Sequence, residues 1–298
     1  MSLIVDKVSF STKDGFDLNW NGISLLPGSS VAVIGKNGSG KTSLLECILG
    51  LKAGARATGT MGGIALEKIH NNRKLLRNVG FQIQGMHFPF GVKVKDVVSL
   101  HDTLYQKHDL DLREILAIDP LLNKKYWHCS VGEKLRVELF FACAHRPNYL
   151  FFDEPTRGLD QATKDNFVLW IKQLFTGNDK SVCMLTSHAP EELKMTDSLI
   201  WLDQGKEIFS GSQIEFKNKY LGDYRLDVCI KNDSALSFLK NNELAFSHRG
   251  DRGHIFSFFG DSTLKEKTSS LLESEPNIIF ATVSKNSPTD VFDYVTRS

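Results

Sequence analysis

The stretch Gly35-Lys36-Asn37-Gly38-Ser39-Gly40-Lys41-Thr42 fits the pattern G-x-x-x-x-G-K-[ST] over its whole length. An apolar run at 31–34 before it predicts a strand buried on both faces, and the apolar spacing at 44–49 after it predicts a helix. Glycines let the backbone curl until successive N–H groups point at phosphate oxygens, and the helix start adds the positive end of its dipole. The stretch therefore predicts a phosphate-binding loop, which we call the phosphate loop.

Two side chains of the phosphate loop have specific chemistry. Lys41 is expected to reach the β- and γ-phosphates of a nucleotide, and the Thr42 hydroxyl is expected to ligate Mg²⁺. A second apolar run, 149–152, ends on Asp153 and Glu154, and a buried strand that runs into two acids is costly without a cation nearby. We therefore expect Asp153 to hold Mg²⁺ through water, and Glu154 to orient or deprotonate a water that faces the γ-phosphorus.

Composition places the chain among ordinary globular proteins. Its 298 residues correspond to about two domains, and 36 basic against 35 acidic residues give a net charge of +1, which argues against a nucleic-acid binder. Five widely spaced cysteines without a Cys-x-x-Cys pair predict reduced thiols in a cytosol. The first residues lack the pattern of a signal peptide, and no run of ~18 apolar residues predicts a membrane span.

Strand and helix patterns alternate through the first two thirds of the chain. Residues 1–30 predict paired strands, further apolar runs at 181–186 and 199–202 predict buried strands, and 95–147 is mostly helical in pattern. Leucine and isoleucine spacing in that helical region, including Leu100 and Leu104, predicts a helix face. This alternation predicts an α/β fold with a parallel sheet covered on both sides.

The composition changes after about Gly211, and a second pattern follows. Strands are predicted at 224–230, near 244–246, at 254–259 and at 278–283, and helices at 234–240 and 263–272. This βαββαβ order is typical of a ferredoxin-like split βαβ domain. The segment Ser287-Pro288-Thr289-Asp290 predicts the start of a last helix, with a capping serine and a proline at the first helical position.

Further motifs occur in a fixed order along the first 215 residues. Gln84 follows the predicted strand 79–83, Cys129-Ser130-Val131-Gly132-Glu133 precedes a basic helix, and Ser187-His188-Ala189 ends the strand after Glu154. With the phosphate loop and 152–160, these motifs resemble those of the ATP-binding subunit of an ABC transporter. The family order is Walker A, Q-loop, signature, Walker B, D-loop and switch histidine.

The resemblance implies an architecture. Residues 1–215 would form an ABC cassette of the P-loop NTPase fold, with a mainly parallel sheet, an antiparallel N-terminal β region and a helical subdomain at about 85–145. Residues 222–298 would form a small α+β, ferredoxin-like accessory domain. The cofactors implied are ATP and Mg²⁺, and the activity implied is ATP hydrolysis coupled to transport.

The resemblance also implies roles for residues outside the phosphate loop. In this family two ATPase subunits sandwich two nucleotides, so Ser130 and Gly132 of one subunit would contact the γ-phosphate held on Lys41 of the other. Asp160 would lie at the dimer seam. His188 would bond the γ-phosphate, and Gln84 would sense Mg²⁺ and water and pass that state to the membrane partner. Gln82, two residues from Gln84 and on the same face, is the alternative for this last role.

The chain departs from the family pattern at several positions. Val131 replaces a signature glycine and puts a branched side chain near the γ-phosphate contact. The family's adenine-stacking aromatic falls at Thr12, which cannot stack, so Phe16 is the candidate substitute, with packing of its own hairpin as the other reading. Ser130 and Glu133 also form the sequence Ser-x-x-Glu, which predicts a helix capping box.

The last residues of the sequence indicate which kind of ABC transporter the chain resembles. The segment 287–296 resembles the ending of exporter ATPases that carry a small αβ domain and energise ABC-2 type permeases. A transmembrane permease and a second ATPase subunit, as a homodimer, are the implied partners. The location implied is the cytoplasm, on the inner face of the membrane through the permease. The apolar loop 86–90 is either part of that docking surface or a buried loop.

Two other functions stay open from the sequence. One is a soluble ABC-type ATPase that acts on DNA or ribosomes. Against it, the sequence lacks the pattern of a long coiled coil, contains a single cassette and has little net charge. The other is a regulatory cassette of low turnover, which Val131 and Thr12 favour and which Glu154 and His188 disfavour.

Overall fold

The computed structural model describes residues 2–297 except 86, 107–108, 177–180, 232–245, 250–254, 265, 267 and 269–276. The chain divides into two compact units, Met1–Ser210 and Gly211–Ser298. Each unit has its own hydrophobic core, one around strand residues such as Val31 and Phe151 and the other around Leu226 and Phe258.

Strands β1 to β11 form one sheet. Their bounds are β1 Leu3–Ser11, β2 Asp17–Trp20, β3 Ile23–Leu25, β4 Ser30–Ile34, β5 Arg56–Met61, β6 Ile64–Ala65, β7 Val79–Gln82, β8 Tyr149–Asp153, β9 Val182–Thr186, β10 Ser198–Asp203 and β11 Lys206–Ser212. The strand order is β6-β5-β1-β2-β11-β10-β4-β9-β8-β7, with β3 paired to β1. Strand β1 pairs antiparallel with β2, β3 and β5, whereas β10, β4, β9, β8 and β7 are parallel neighbours. The predicted parallel sheet with an antiparallel N-terminal region is therefore confirmed.

The sheet positions three loops at one edge. Strands β4, β9 and β8 are adjacent and parallel, and every residue of these strands is buried. The loops that leave their carboxyl ends carry the phosphate loop, Glu154 and His188. Because ligands of open α/β sheets bind outside the carboxyl ends of the strands, this edge is the expected place for a site.

Helices surround this sheet. Their bounds are α1 Lys41–Ile48, α2 Arg73–Leu76, α3 Val94–Tyr105, α4 Leu110–Ile115, α5 Val131–Cys143, α6 Gln161–Thr176 and α7 Pro190–Leu193. The predicted helix face at Leu100 and Leu104 is wrong for α3, because both side chains are exposed and the helix buries Val94, Val97, Val98 and His101 instead. Short 3-10 helices also form at Leu66–Asn71, Asp119–Leu121 and Tyr126–His128.

The second unit contains a four-stranded antiparallel sheet. Its strands are β12 Tyr224–Ile230, β13 Phe246–Arg249, β14 Ile255–Gly260 and β15 Ile278–Lys285, in the order β13-β14-β12-β15. The third strand thus lies between the first and second, as the split βαβ pattern requires. The predicted helix 234–240, most of the predicted helix 263–272, and residues 244 and 245 of the second predicted strand lie outside the described residues.

Helices α8 Gln213–Phe216 and α9 Pro288–Arg297 belong to the second unit, with a π-helical turn at Lys217–Leu221 between α8 and the sheet. Helix α9 begins where the sequence predicts it. The backbone N–H and the hydroxyl of Ser287 donate to Asp290 Oδ2, at 2.6 and 2.9 Å. The guanidinium of Arg225, on β12, donates to the other Asp290 oxygen at 2.6 Å. The buried Asp290 therefore ties the start of α9 to the sheet.

All five cysteines are free thiols, and four of them are buried. Among the described residues, no helix combines the length and hydropathy that a membrane-spanning segment needs.

Candidate nucleotide site

The phosphate loop leaves β4 and enters α1 at Lys41. Gly40 has a φ of 103°, in the left-handed region, and a Cβ there would lie 2.8 Å from the Phe16 ring. The Lys41 ammonium donates hydrogen bonds to the carbonyls of Gly35 and Lys36, at 2.9 and 3.0 Å. Burial lowers the pKa of Lys41, while the charges of Glu154 and Asp153 raise it. The loop is thus held closed around a buried cation.

Thr42 and Asp153 meet directly. The Thr42 hydroxyl lies 3.0 Å from both carboxylate oxygens of Asp153, which is 1% exposed. The Thr186 hydroxyl, at the end of β9, donates to Asp153 Oδ1 at 2.6 Å and accepts the backbone N–H of Glu154 at 3.1 Å. These contacts place one hydroxyl and one carboxylate side by side, which is the hard oxygen donor set that Mg²⁺ prefers.

Glu154 lies between two basic side chains. Its Oε1 is 3.2 Å from His188 Nε2, and its Oε2 accepts a hydrogen bond of 2.8 Å from Arg157 Nη1. The backbone of Glu154 has a φ of 54°, a sparsely populated conformation for a residue with a side chain. Burial, followed by the charge of Lys41, lowers the pKa of His188. The lowered pKa favours the neutral ring, in which one ring nitrogen donates a hydrogen bond and the other accepts one.

These residues open onto one cavity of about 250 Å³. Its lining residues are Phe16, Asn37, Gly38, Gly40, Lys41, Thr42, Ser43, Glu154 and His188. Thr12 takes no part in the lining but holds Phe16, because its hydroxyl accepts the Phe16 N–H at 3.1 Å and its own N–H donates to the Phe16 carbonyl at 2.9 Å. Phe16 thus borders both the phosphate loop and the cavity, while its ring also packs on the core.

The signature segment lies outside this cavity. Ser130 caps α5: its hydroxyl accepts the N–H of Glu133 at 3.2 Å, and Glu133 accepts the N–H of Ser130 at 2.7 Å. The predicted capping box is confirmed. A Cβ on Gly132 would lie 2.4 Å from the carbonyl of Gly158, so the signature helix packs against the segment that follows Glu154. Val131 is 78% exposed.

Asp160 caps α6. Its carboxylate accepts the N–H of Thr163 at 3.0 Å and the Thr163 hydroxyl at 2.8 Å, and it pairs with Arg136 of α5 at 2.6 Å. These hydrogen bonds, led by the one from the Thr163 backbone, lower the pKa of Asp160 to about 2.

The two glutamines differ in environment. Gln84 follows the end of β7 by two residues and is exposed, whereas Gln82 is buried and its Oε1 has no hydrogen-bond partner among the described residues. Within the described part of the chain, the lining of the cavity contains neither of them. The phenylalanines of the loop after them differ in exposure, since Phe90 is 86% exposed whereas Phe88 packs edge-on against Tyr126. Met86 lies outside the described residues.

Four residues at the site were not predicted from the sequence. Ser43 lines the cavity, Thr186 positions Asp153, and Arg157 pairs with Glu154. Glu192 links the segment after β8 with the segment after β9. Their nearness to a motif along the chain was the available signal, since Ser43 and Arg157 lie within three residues of Thr42 and Glu154. Glu192 follows His188 by four residues.

Comparison with known proteins identifies the family of this chain. Residues 19–157 match the family described as ABC transporter. The energy-coupling factor transporter ATP-binding protein EcfA1 of Mycoplasma mobile is 30% identical over 70% of this chain and 78% of that protein. The molybdenum import ATP-binding protein ModC of Haemophilus ducreyi is 31% identical over 59% of this chain, which spans about half (52%) of that relative.

Solved structures show the same fold. A structure titled as the ATP binding subunit of an ABC transporter superposes with a TM-score of 0.64 at 19% identity, over 74% of this chain and 92% of that one. A bacterial Atm1-family ABC exporter with ATP bound gives 0.59 at 18% identity, over 73% of this chain and 40% of that one. The family match at 19–157 and the identity with EcfA1 show that the chain belongs to the ABC transporter family, as one of its ATP-binding subunits.

Proposed function

We propose that this chain hydrolyses ATP to drive a separate membrane permease. The observation that carries the proposal is the meeting of Lys41, Thr42, Glu154 and His188 around one cavity, with the buried Asp153 in contact with Thr42. Lys41 supplies positive charge for the β- and γ-phosphates, and Glu154 orients or deprotonates the attacking water. His188, 3.2 Å from Glu154, would hold the γ-phosphate side of the site.

The residues present fit Mg²⁺ as well as ATP. Thr42 and Asp153 would hold the metal, Asp153 through water, with Gln84 as the third proposed metal-site residue. When bound, the metal would neutralise the negative charge that develops on the phosphates. Gly35 to Gly40 would bind phosphate oxygens through backbone N–H groups, and Phe16 would carry the adenine by stacking on its ring.

The proposed active form is a dimer, and a homodimer is the simplest one. Ser130, Gly132 and Asp160 lie outside the cavity formed by the described residues of their own chain. Ser130 and the neighbouring Val131 are exposed at the start of α5, where a helix N-terminus favours an anion. A second subunit would bring its signature segment to the phosphates held on Lys41.

We propose export through an ABC-2 type permease as the direction of transport, with the chain on the cytoplasmic face of the membrane. The small second unit after the cassette, and the resemblance of 287–296 to the ending of exporter ATPases, favour this direction. Import is the second candidate, because relatives such as ModC are named import ATP-binding proteins. Uptake of radiolabelled cargo by inside-out vesicles that hold the complex would favour export, and uptake by right-side-out vesicles would favour import.

ATP hydrolysis by the purified chain with its permease tests the proposed activity. Lys41→Ala should abolish nucleotide binding, because it removes the buried cation of the phosphate loop. Lys52→Ala, a change of the same type at a side chain that pairs with Glu46 on α1, is the matched control and should keep wild-type binding. Wild-type nucleotide binding by Lys41→Ala would overturn the assignment of the phosphate loop.

A further inference from the structure

Glu192, on the short helix α7, is a buried carboxylate with four hydrogen-bond donors. It is 1% exposed. Its Oε1 accepts the Thr156 N–H at 3.0 Å and the Thr156 hydroxyl at 2.8 Å. Its Oε2 accepts the Ser187 hydroxyl at 2.7 Å and the His188 N–H at 3.2 Å. One side chain thus connects the segment after β8 with the segment after β9.

The charge of Glu192 is stabilised by these donors alone within the described part of the chain, since no cation pairs with it there. Burial raises the pKa of Glu192, and the hydrogen bonds from Ser187, Thr156 and His188 lower it. A buried carboxylate lowers the stability of a protein unless its oxygens accept hydrogen bonds. The burial of Glu192 is therefore tolerated only when both segments supply their donors. Two of the donors are backbone N–H groups, which fix main-chain position.

The two segments that Glu192 joins carry the two side chains that bind Glu154. Arg157 follows Thr156 directly, and His188 is itself one of the residues bonded to Glu192. Glu192 links the segment that carries Arg157 with the segment that carries His188. The distance between these segments in turn affects where the Glu154 carboxylate lies between the two side chains.

We infer that Glu192 is a positioning residue for hydrolysis, which holds the Arg157 and His188 segments at the separation that aligns Glu154. The inference rests on the proposed ATPase function and adds a residue to it. Glu192 acts through Glu154, because its oxygens accept hydrogen bonds from Thr156, Ser187 and His188 and, among the described residues, from no residue of the phosphate loop. Its loss should therefore affect turnover and leave nucleotide binding intact.

Glu192→Gln tests this in the full chain. The amide keeps the size of the side chain, but its NH₂ group cannot accept a backbone N–H, so one of the two segments loses its anchor. We expect kcat to fall between about 10- and 100-fold, while the Kd for ATP measured without turnover stays within about twofold. Glu191→Gln, the neighbouring change of the same type on a half-buried side chain, is the matched control and should leave both values unchanged.

A spectroscopic signature separates positioning from general loss of structure. If Glu192→Gln frees the backbone of His188, the ring leaves the environment that lowers its pKa, and its midpoint in an NMR titration moves up toward the ordinary value. The melting temperature of the variant is measured beside it. Thr156→Val, which removes one hydroxyl donor and keeps the N–H, is the milder second variant, with an expected fall in kcat of about 3- to 10-fold and an unchanged Kd.

The outcomes separate the two proposals. Turnover by Glu192→Gln equal to wild type, with the His188 midpoint unmoved, would overturn the inference and leave the ATPase proposal standing. Equal losses in kcat and in affinity for ATP would also overturn it, since they would show that Glu192 supports the whole site. An inactive wild-type complex would overturn the proposed function itself.

Discussion

The Thr42 hydroxyl on α1 lies 3.0 Å from both carboxylate oxygens of Asp153 at the end of β8, across 111 positions of sequence. This contact exists because β4 and β8 flank β9 in the sheet, so that the loops leaving their carboxyl ends meet. The order of the strands therefore brings the two oxygen donors side by side, although they lie far apart along the chain.

Asp153→Asn should weaken the metal dependence of nucleotide binding. The amide keeps the hydrogen bond with Thr42 but loses the negative charge that favours a divalent cation. We expect the Kd for ATP in EDTA to stay near wild type, while the gain on adding Mg²⁺ falls about tenfold or more. Isothermal titration with and without Mg²⁺ checks this, and an unchanged gain would contradict a role for Asp153 in holding the metal.

Glu154→Gln should bind ATP and stop turnover. The change removes the carboxylate that acts on the water but keeps the contact with His188. Because hydrolysis is blocked, the nucleotide stays bound for longer. We expect kcat to fall by about 10²-fold or more, and an ATP-dependent dimer to persist in size-exclusion chromatography. Hydrolysis by Glu154→Gln at the wild-type rate would show that another group positions the water.

His188 should titrate below its ordinary pKa of about 6.5, because burial and the charge of Lys41 disfavour the protonated ring. Removal of the positive charge in Lys41→Met should raise the midpoint. Loss of the negative charge in Glu154→Gln should lower it further, since Glu154 raises the pKa of His188. NMR of histidine-labelled protein measures all three midpoints, and a wild-type midpoint above 6.5 would contradict this account of the site.

Val131→Gly should raise the ATPase rate of the assembled complex. Val131 is 78% exposed at the start of α5, where the partner's phosphates are expected, and its branched side chain is larger than the glycine that the family pattern has there. Glycine costs about 0.5–1 kcal/mol of helix stability, so the melting temperature should fall slightly. The rate is compared with that of Val137→Ala, a buried change in the same helix; a fall in the Val131→Gly rate counts against steric interference.

Asp290→Ala should destabilise the second unit. Asp290 is buried, and its loss leaves the Ser287 N–H and one arm of Arg225 without their acceptor. We expect a loss of about 2–3 kcal/mol in the free energy of unfolding of that unit, seen as faster hydrogen exchange in β12. Asp223→Ala, which breaks the exposed pair with Lys217, should cost less than about 1 kcal/mol. Similar losses in the two variants would argue against the buried network.

Local sequence predicted the elements whose side chains are uniformly apolar or whose turn chemistry is specific. The buried strands β4, β8 and β9 and the capped starts of α5 and α9 are in this group. Strands β5 and β11 were not predicted, because they are half-exposed and mix polar with apolar residues, and β6 was not predicted because it has only two residues. The face of α3 was predicted wrongly, since Leu100 and Leu104 fit a helical period but the helix turns other residues toward the core.

By itself, the sequence determined the chemistry of the site: a glycine loop with Lys41 and Thr42, an acidic pair at a strand end, and a histidine after the next strand. These groups are encoded locally, because loop conformation and strand burial depend on neighbouring residues. Only the tertiary structure decided which groups meet. The contact of Thr42 with Asp153, the pairing of His188 with Glu154, and the link that Glu192 makes between two loops depend on strand order, which brings distant segments within hydrogen-bond distance.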